Sequence, residues 1–196
     1  MLFVTTIEER TDDMSALRQE QYYTYQDWLD LELDEGEMAE LIDGSIYMMA
    51  SPSRRHQAVS RNMSMQLANH LAGKKCKVYF SPFAVRLEKD TVVLPDIVVV
   101  CDPKKLTPSG CTGTPDLVIE ILSPSTSSYD KVKKFKLYKE AGVPEYWIVD
   151  PSDNIVFAYR LTDKGYMATV YDDTNTATIA ALPGFEMDLA AVFAEE

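Results

Sequence analysis

The sequence predicts a mixed α/β fold in which helices cover a β-sheet, and three observations support this prediction. Residues 92–100 and 117–122 are apolar runs bounded by turn residues, which is typical of buried strands. Apolar side chains recur at every fourth position between residues 59 and 71, as on the buried face of a helix. Residues 117–122, 128–141 and 145–149 have the signals of a strand, a helix and a strand, which can form one right-handed crossover.

Local signals predict the first elements of the chain. Residues 1–22 lack periodicity and are rich in acids, so we expect a flexible acidic tail followed by a single domain at 23–196. Thr24-Tyr25-Gln26-Asp27 matches a helix N-terminus with Thr24 as the cap, and this helix should end near Leu33.

The remaining elements follow in chain order. Asp43-Gly44 is a strong two-residue hairpin turn between strands at 38–42 and 45–49. Ser51-Pro52-Ser53 opens a helix that runs to about residue 72, where Gly73 ends it. Strands are then predicted at 78–87, 92–100, 117–122, 146–149, 155–161, 166–171 and 177–181, and helices at 128–141 and 189–193.

Charge is unevenly distributed along the chain. Residues 1–40 hold 12 acids and 2 bases, a net of −10, whereas residues 41–196 hold 19 acids and 17 bases, a net of −2. The overall charge of −12 therefore does not exclude nucleic acid as a partner. The basic residues cluster at Arg54, Arg55 and Arg61 and at Lys131, Lys133, Lys134, Lys136 and Lys139. Helical lysines usually form a solvated face, so these clusters are compatible with phosphate binding without requiring it.

The composition predicts a cytoplasmic protein with no membrane partner. There is no apolar run of eighteen residues, and the first residues lack the features of a secretory signal. Cys76, Cys101 and Cys111 are an odd number and form no C-x-x-C pair, so we expect reduced thiols and no zinc site.

Two carboxylates in apolar strands are the best functional clue. Asp96 and Glu120 lie 24 residues apart, each within an apolar run. Burying a carboxylate is costly unless another group pairs with it or a metal binds it. If the two strands are neighbours, both carboxylates can bind one divalent cation. Asp116 lies about 13 Å from Glu120 along the same strand, so we interpret it as a turn residue.

Other candidates have both a structural and a functional interpretation. Lys134 lies one helical turn from Asp130 and from Tyr138, so it either forms an ion pair with Asp130 or acts at a scissile phosphate. Glu40 is either an exposed strand residue or a further acid of the site. His56 is either structural or a contact for phosphate or metal.

These segments occur in an order that resembles the "putative restriction endonuclease" family of the PD-(D/E)XK nuclease superfamily. The resemblance covers about residues 24–190. The matching segments are Glu40-Leu41-Ile42-Asp43-Gly44, Pro52 with His56, Pro95-Asp96, Glu120-Ile121-Leu122-Ser123-Pro124-Ser125-Thr126, Asp130 with Lys134 and Tyr138, and residues 142–151.

The resemblance implies a restriction-endonuclease-like fold, with a central mixed β-sheet flanked by helices and an N-terminal helix and hairpin. It implies that Asp96, Glu120 and the Ile121 carbonyl hold Mg²⁺, for which Mn²⁺ can substitute. The position of the superfamily's usual lysine is occupied by Leu122 here. The resemblance implies that Lys134, on the following helix, takes the role of that lysine. Catalytic roles are thus expected for Asp96, Glu120, Lys134 and Glu40, and substrate binding for His56 and Tyr138.

The leading hypothesis is a Mg²⁺-dependent DNA endonuclease in which Lys134 assists the attacking water. One alternative is a catalytically inactive nuclease-fold module that binds nucleic acid or protein, which Leu122 and the acidic charge favour. Another is a metal-dependent hydrolase of a different phosphoester. The sequence has no G-x-x-x-x-G-K nucleotide-binding loop. We expect a homodimer, because nucleases that cut both strands commonly pair by twofold symmetry.

Overall fold

The structure, a computed structural model, describes residues 21–123 and 130–194, with side chains at 21–123 and 132–194. In chain order, its first elements are α1 (Tyr25–Leu29), β1 (Ala39–Ile42), β2 (Ser45–Met48), α2 (Arg54–Leu71), β3 (Lys77–Phe80), β4 (Val85–Glu88), β5 (Thr91–Val93), β6 (Ile97–Val100), a 3₁₀ turn (Pro103–Lys105), β7 (Leu106–Thr107), β8 (Gly110–Thr112) and β9 (Leu117–Ile121). Then follow a π-helical turn (Asp130–Lys134), α3 (Phe135–Glu140), β10 (Glu145–Asp150), β11 (Ile155–Thr162), β12 (Gly165–Asp172), β13 (Thr176–Thr178), β14 (Glu186–Asp188) and α4 (Leu189–Phe193).

Within these described residues, the strands form two six-stranded sheets and one two-stranded sheet. The main sheet has the order β12-β11-β10-β9-β6-β3, and the second sheet has the order β2-β1-β5-β4-β8-β7. β9 and β10 are parallel neighbours on either side of α3 in the chain, whereas β6 is antiparallel to β9. The predicted mixed sheet with a strand–helix–strand unit is confirmed.

The main sheet lies between two hydrophobic cores. Successive side chains of a strand point to opposite faces of the sheet. On one face Ile97 packs in a core with Met63 of α2, and on the other Val98 packs in a core with Val93 of the second sheet and Tyr138 of α3. Because both faces are covered, all residues of β6 and β9 are buried, which explains why these strands are apolar except for Glu120.

The long helix α2 follows its sequence signals. The Ser53 hydroxyl accepts a hydrogen bond from the His56 amide and so caps the helix N-terminus. The four-spaced apolar side chains are all buried, as predicted. Gly73, just after the helix, has φ +73°, a conformation that glycine adopts without strain. The buried residues of α2 are His56, Val59, Met63, Leu67 and Leu71.

The predicted hairpin is also confirmed. Asp43 and Gly44 have φ values of +51° and +75°, the left-handed pair that a type I′ turn requires. The chain leading into α1 packs against this hairpin, because the Tyr23 amide donates to the Gly44 carbonyl at 2.8 Å. Residues 1–20 of the predicted acidic tail lie outside the described residues.

Two predicted strands are each divided between the two sheets, so those predictions were wrong in extent. Residues 78–87 form parts of β3 in the main sheet and β4 in the second sheet, and Ser81-Pro82 separates them. Residues 92–100 are divided in the same way around Leu94-Pro95-Asp96. Proline has no backbone N–H, so a ladder does not continue through it. The Ser81 amide donates to the Asp96 carbonyl at 3.1 Å. This hydrogen bond joins the two segments in which the chain crosses from one sheet to the other.

Helix lengths and short strands also differ from the predictions. α1 ends at Leu29 rather than near Leu33, because the acids that follow are unfavourable at a helix C-terminus. In the described part of the predicted helix at 128–141, the π-helical turn precedes a short α3. β7, β8 and β14 have two or three residues each, too few for a recognisable alternation.

The prediction of three reduced cysteines was wrong for two of them. β3 and β6 are antiparallel with Lys77 opposite Val100, so the next residues outward, Cys76 and Cys101, also lie opposite each other. The structure joins these two by a disulfide and leaves Cys111 free and buried. Burial raises the pKa of the Cys111 thiol to about 11. A spacing of 25 residues reveals such a pair only when the strand register is known.

No helix in the described ranges combines the length and the apolar character needed to cross a membrane.

The packing of α2 can be tested with two methionines that lie two residues apart. Met63 is fully buried against the main sheet, whereas Met65 is 57% exposed. We expect Met63→Ala to lower the free energy of unfolding by about 2–5 kcal/mol, and Met65→Ala to change it by less than about 0.5 kcal/mol. Urea denaturation followed by circular dichroism measures both, and equal losses would contradict this orientation of α2.

Candidate active site

Asp96, the residue just before β6, lies beside Glu120 of the neighbouring strand β9, as expected. In the antiparallel pair β6–β9, Ile97 is opposite Ile119. The next position outward therefore places Asp96 opposite Glu120, and directly opposed residues share one face of the sheet. The Ile121 amide donates to Asp96 Oδ2 at 2.7 Å, which fixes that carboxylate against β9.

A buried lysine joins carboxylates from the two sheets. Lys134 Nζ lies 2.9 Å from Glu120 Oε1 on the main sheet and 3.0 Å from Glu40 Oε1 on the second sheet. All three side chains are buried, so their mutual attraction is weakly screened. Lys134 is the last residue of the π-helical turn, a rare conformation that is frequent at functional sites.

Glu40 is buried and belongs to this cluster, so the interpretation as an exposed strand residue was wrong. Its Oε1 accepts from the Leu94 amide at 2.8 Å as well as from Lys134. Leu94 lies two residues before Asp96, in the segment where the chain passes from the second sheet to the main sheet. Nothing in the sequence indicated this contact. Glu40 therefore holds the lysine and the chain that leads to Asp96. The side chain of Asp130 lies outside those that the structure describes, so the expected Asp130–Lys134 pair stays a prediction.

Tyr138 lies behind Glu120. Its hydroxyl donates to Glu120 Oε1 at 2.6 Å, and its ring is fully buried. Burial raises the pKa of Tyr138 well above its ordinary value, and repulsion by Glu120 and then Glu40 adds to this effect. The hydroxyl thus stays protonated and remains a donor. This position suits Tyr138 to orienting Glu120 rather than to contacting a substrate.

His56 faces Asp96 from the first turn of α2. Its Nε2 lies 3.2 Å from Asp96 Oδ2, and its side chain is buried. An ionised carboxylate can only accept, so Nε2 must carry the hydrogen in this contact. The helix cap at Ser53 and the packing of α2 determine this placement. The sequence indicated His56 as a candidate but not its partner.

With the exception of Tyr138, these groups line a cavity of about 610 Å³. Its charged and polar lining includes Glu40, His56, Asp96, Glu120 and Lys134, and Ile121 lies beside them. Much of the remaining lining is apolar and includes Met38, Met48, Met49, Met65 and Phe80. The nine methionines of the chain were the only sequence signal for this apolar part, because its members lie on several separate elements.

The donor set around Asp96 is chemically suited to Mg²⁺. Mg²⁺ prefers hard oxygen ligands and is commonly held by one or two carboxylates together with waters. Asp96 and Glu120 are opposed on neighbouring strands, and Ile121 lies beside them in the cavity lining. In the described part of the chain, no three His, Cys, Asp or Glu side chains form a group that could hold a metal. The Lys134 ammonium contacts Glu40 and Glu120 in this arrangement.

Comparison with known proteins identifies similar sequences and a similar structure. The sequence profile of the Uma2 family, described as "Putative restriction endonuclease", matches residues 20–190. Two proteins of Synechocystis sp., "Uncharacterized protein slr1290" and "Uncharacterized protein sll1609", are 32% and 27% identical to the chain over 142 residues. These matches cover 71% and 70% of this chain and 75% and 77% of the relatives.

A crystal structure from Anabaena variabilis, described as "a putative nuclease belonging to DUF820", has a similar fold. It superposes with a TM-score of 0.72 and 21% sequence identity, over 87% of this chain and 97% of that one. The expected restriction-endonuclease-like fold is therefore confirmed.

Replacing Lys134 tests the buried ion cluster. We expect Lys134→Met to lower the free energy of unfolding by about 3–5 kcal/mol, because two buried carboxylates lose their cation. Lys136→Met is the control, since Lys136 is in α3 and its side chain is 74% exposed, and it should change stability by less than about 0.5 kcal/mol. Adding Glu40→Gln to Lys134→Met should recover part of the loss. Equal stabilities of the two lysine variants in urea denaturation would contradict the cluster.

The raised pKa of Tyr138 predicts a pH dependence of stability. Above pH 10, its ordinary pKa, the tyrosine of the unfolded chain ionises while the folded protein retains its proton. The protonated Tyr138 therefore contributes stability that is fully present below pH 10. This contribution is lost as the pH rises towards the pKa of Tyr138 in the folded protein. The free energy of unfolding should therefore fall less steeply in Tyr138→Phe, by up to about 1.4 kcal/mol per pH unit.

Unfolding of both proteins at several pH values between pH 9 and pH 11, roughly one unit either side of the ordinary tyrosine pKa, measures this difference. The pKa values of Tyr159 and Tyr166 are also raised by burial, but both residues are present in both proteins. Their effects cancel in the comparison. Identical slopes would mean that Tyr138 ionises as readily in the folded protein as in the unfolded chain.

Proposed function

The chain belongs to the Uma2 family, whose description is "Putative restriction endonuclease", and on this basis we propose that it hydrolyses phosphodiester bonds of DNA with a bound Mg²⁺ ion. Mn²⁺ is expected to substitute for Mg²⁺. The predicted homodimer and the single domain at 23–196 stay predictions.

One observation carries this proposal, namely that a lysine from a different element reaches Glu120, one of the two opposed carboxylates. Leu122 occupies the position where the superfamily commonly has its lysine, yet Lys134 Nζ lies 2.9 Å from Glu120 Oε1. An aspartate, a glutamate and a lysine thus line one cavity. This combination supplies ligands for a hard cation and a positive charge beside them, which phosphodiester hydrolysis requires.

Each polar residue has a distinct part in the proposed reaction. Asp96, Glu120 and the Ile121 carbonyl would hold the ion. Bound Mg²⁺ would supply an activated water and neutralise charge on the phosphate. The Lys134 ammonium orients the attacking water and stabilises negative charge that develops on the phosphoryl oxygens. His56 and the Ile121 amide orient Asp96, whereas Tyr138 orients Glu120.

Glu40 acts on the lysine. Its carboxylate binds the Lys134 ammonium, which keeps that side chain directed at Glu120. Since the Leu94 amide also donates to Glu40, the lysine is positioned relative to the segment that carries Asp96. The extra acid expected at the metal therefore fits better as a positioning residue for Lys134.

The alternative function, a catalytically inactive binding module with the nuclease fold, is favoured by two observations. In the ranges that the structure describes, no group of three metal-ligating side chains could hold a metal, and Lys134 is already bound to two carboxylates. A protein that retained this lysine only for stability would keep the same contacts.

A nicking assay distinguishes the two functions. We expect the purified protein to nick supercoiled plasmid with Mg²⁺ or Mn²⁺. The rate should fall by about 100-fold or more in each of the variants Asp96→Asn, Glu120→Gln and Lys134→Met, because each removes a metal ligand or the stabilising charge. The matched controls are Glu186→Gln, which replaces an exposed acid, and Lys136→Met. Both should cleave at the rate of the unmodified protein.

Circular dichroism of each variant excludes loss of folding as the cause of lost activity. Cleavage that persists in Asp96→Asn and Glu120→Gln would refute the proposed site. If no form cleaves and calorimetry detects no Mg²⁺ binding to the unmodified protein, the inactive binding module becomes the better account.

A further inference from the structure

The apolar part of the cavity has no role in the chemistry described so far. Met48, Met65 and Phe80 belong to its lining and are 53%, 57% and 42% exposed. These three side chains come from β2, α2 and β3, so the fold brings them together at the same cavity as the carboxylates. Exposed apolar side chains that gather at one site usually mark a binding surface.

The charges of the cavity do not suit an extended duplex. Proteins that bind duplex DNA through its backbone commonly make several lysine or arginine contacts to phosphates. Among the described residues that line the cavity, Arg61, His56 and Lys134 are the basic ones. Lys134 is held by Glu40 and Glu120, and His56 contacts Asp96. Apolar contacts in the cavity are therefore expected to contribute to the affinity.

The volume of the cavity suits a nucleotide. A cavity of about 610 Å³ is in the range of pockets for small molecules. Asp96, Glu120 and Lys134 belong to its lining, so a phosphodiester that reaches them must bring its neighbouring sugar and base into the same space. A base fits there only if it is not paired and stacked within a duplex.

We propose that the substrate is an unpaired nucleotide of a DNA strand, whose base packs on Met65 and Phe80 while its phosphodiester lies at Asp96 and Glu120. This inference rests on the proposed function, because it assumes that the carboxylates bind the scissile phosphate. Methionine sulfur and a phenylalanine ring both pack favourably on a flat aromatic base. Such contacts accept any base, so the binding should depend little on sequence.

The test uses a short DNA oligonucleotide that contains 2-aminopurine, either single-stranded or annealed to its complement. Ca²⁺ is present in place of Mg²⁺, because it takes the same oxygen ligands. We expect the single strand to bind at least about tenfold more tightly than the duplex, with a change in 2-aminopurine emission. Met65→Gln and Phe80→Ser should each weaken single-strand binding about tenfold, because each removes a surface for the base.

The matched control is Met167→Gln. Met167 is 63% exposed, lies on β12 and is not part of the cavity lining, so binding should change less than about twofold. Equal affinity for single strand and duplex, no binding of either form, or unchanged binding by the Met65 and Phe80 variants would each overturn the inference.

Cleavage of the same oligonucleotides in Mg²⁺ separates this inference from the nuclease proposal. If the single strand binds through Met65 and Phe80 but is never cut, the nuclease proposal fails and the base-binding cavity stands. If the duplex binds and is cut while Met65→Gln and Phe80→Ser behave as the unmodified protein does, the nuclease stands and this inference fails.

Discussion

The buried ammonium of Lys134 is the interaction on which the rest of the site depends. It binds Glu40 of the second sheet and Glu120 of the main sheet, and it lies within the connection between β9 and β10. Without a cation, two buried carboxylates would face each other across the core, which is strongly unfavourable. The same contact therefore holds two sheets and the turn before α3 in one arrangement and places an ammonium group in the cavity.

The proposed chemistry uses groups that the fold already orients. Asp96 is held by a main-chain amide and by His56, Glu120 by Tyr138 and Lys134, and Lys134 by Glu40. Each contact joins residues that are distant in sequence. Catalytic geometry of this kind is maintained by packing and hydrogen bonds around the reacting groups. The apolar part of the cavity is built differently, from exposed side chains whose replacement leaves the core intact.

Several parts of this molecule were predictable from local sequence because they depend on local physics. The Asp43-Gly44 turn, the apolar stripe of α2 and the apolar strand around Glu120 all appear in the correct places. The division of residues 78–87 and 92–100 between two sheets was not predictable, because an apolar run does not reveal which sheet it joins. The Leu94–Glu40 contact and the Cys76–Cys101 disulfide depend on strand pairing, which a single sequence does not encode at short range. The position of the lysine came from the family resemblance rather than from its spacing.

The register between β6 and β9 has a consequence for how this family can vary in length. Side chains alternate along a strand, so one residue inserted within β9 before Glu120 would turn that carboxylate to the opposite face of the sheet, away from Lys134 and Tyr138. The segment between the two strands, residues 101–116, lies outside the paired ladder and includes the 3₁₀ turn, β7 and β8. Insertions and deletions in that connection therefore leave the carboxylate pair in place. Insertion or deletion of a single residue within β9 does not. Evolutionary drift in chain length should accordingly be concentrated in the connection, with β9 constant in length.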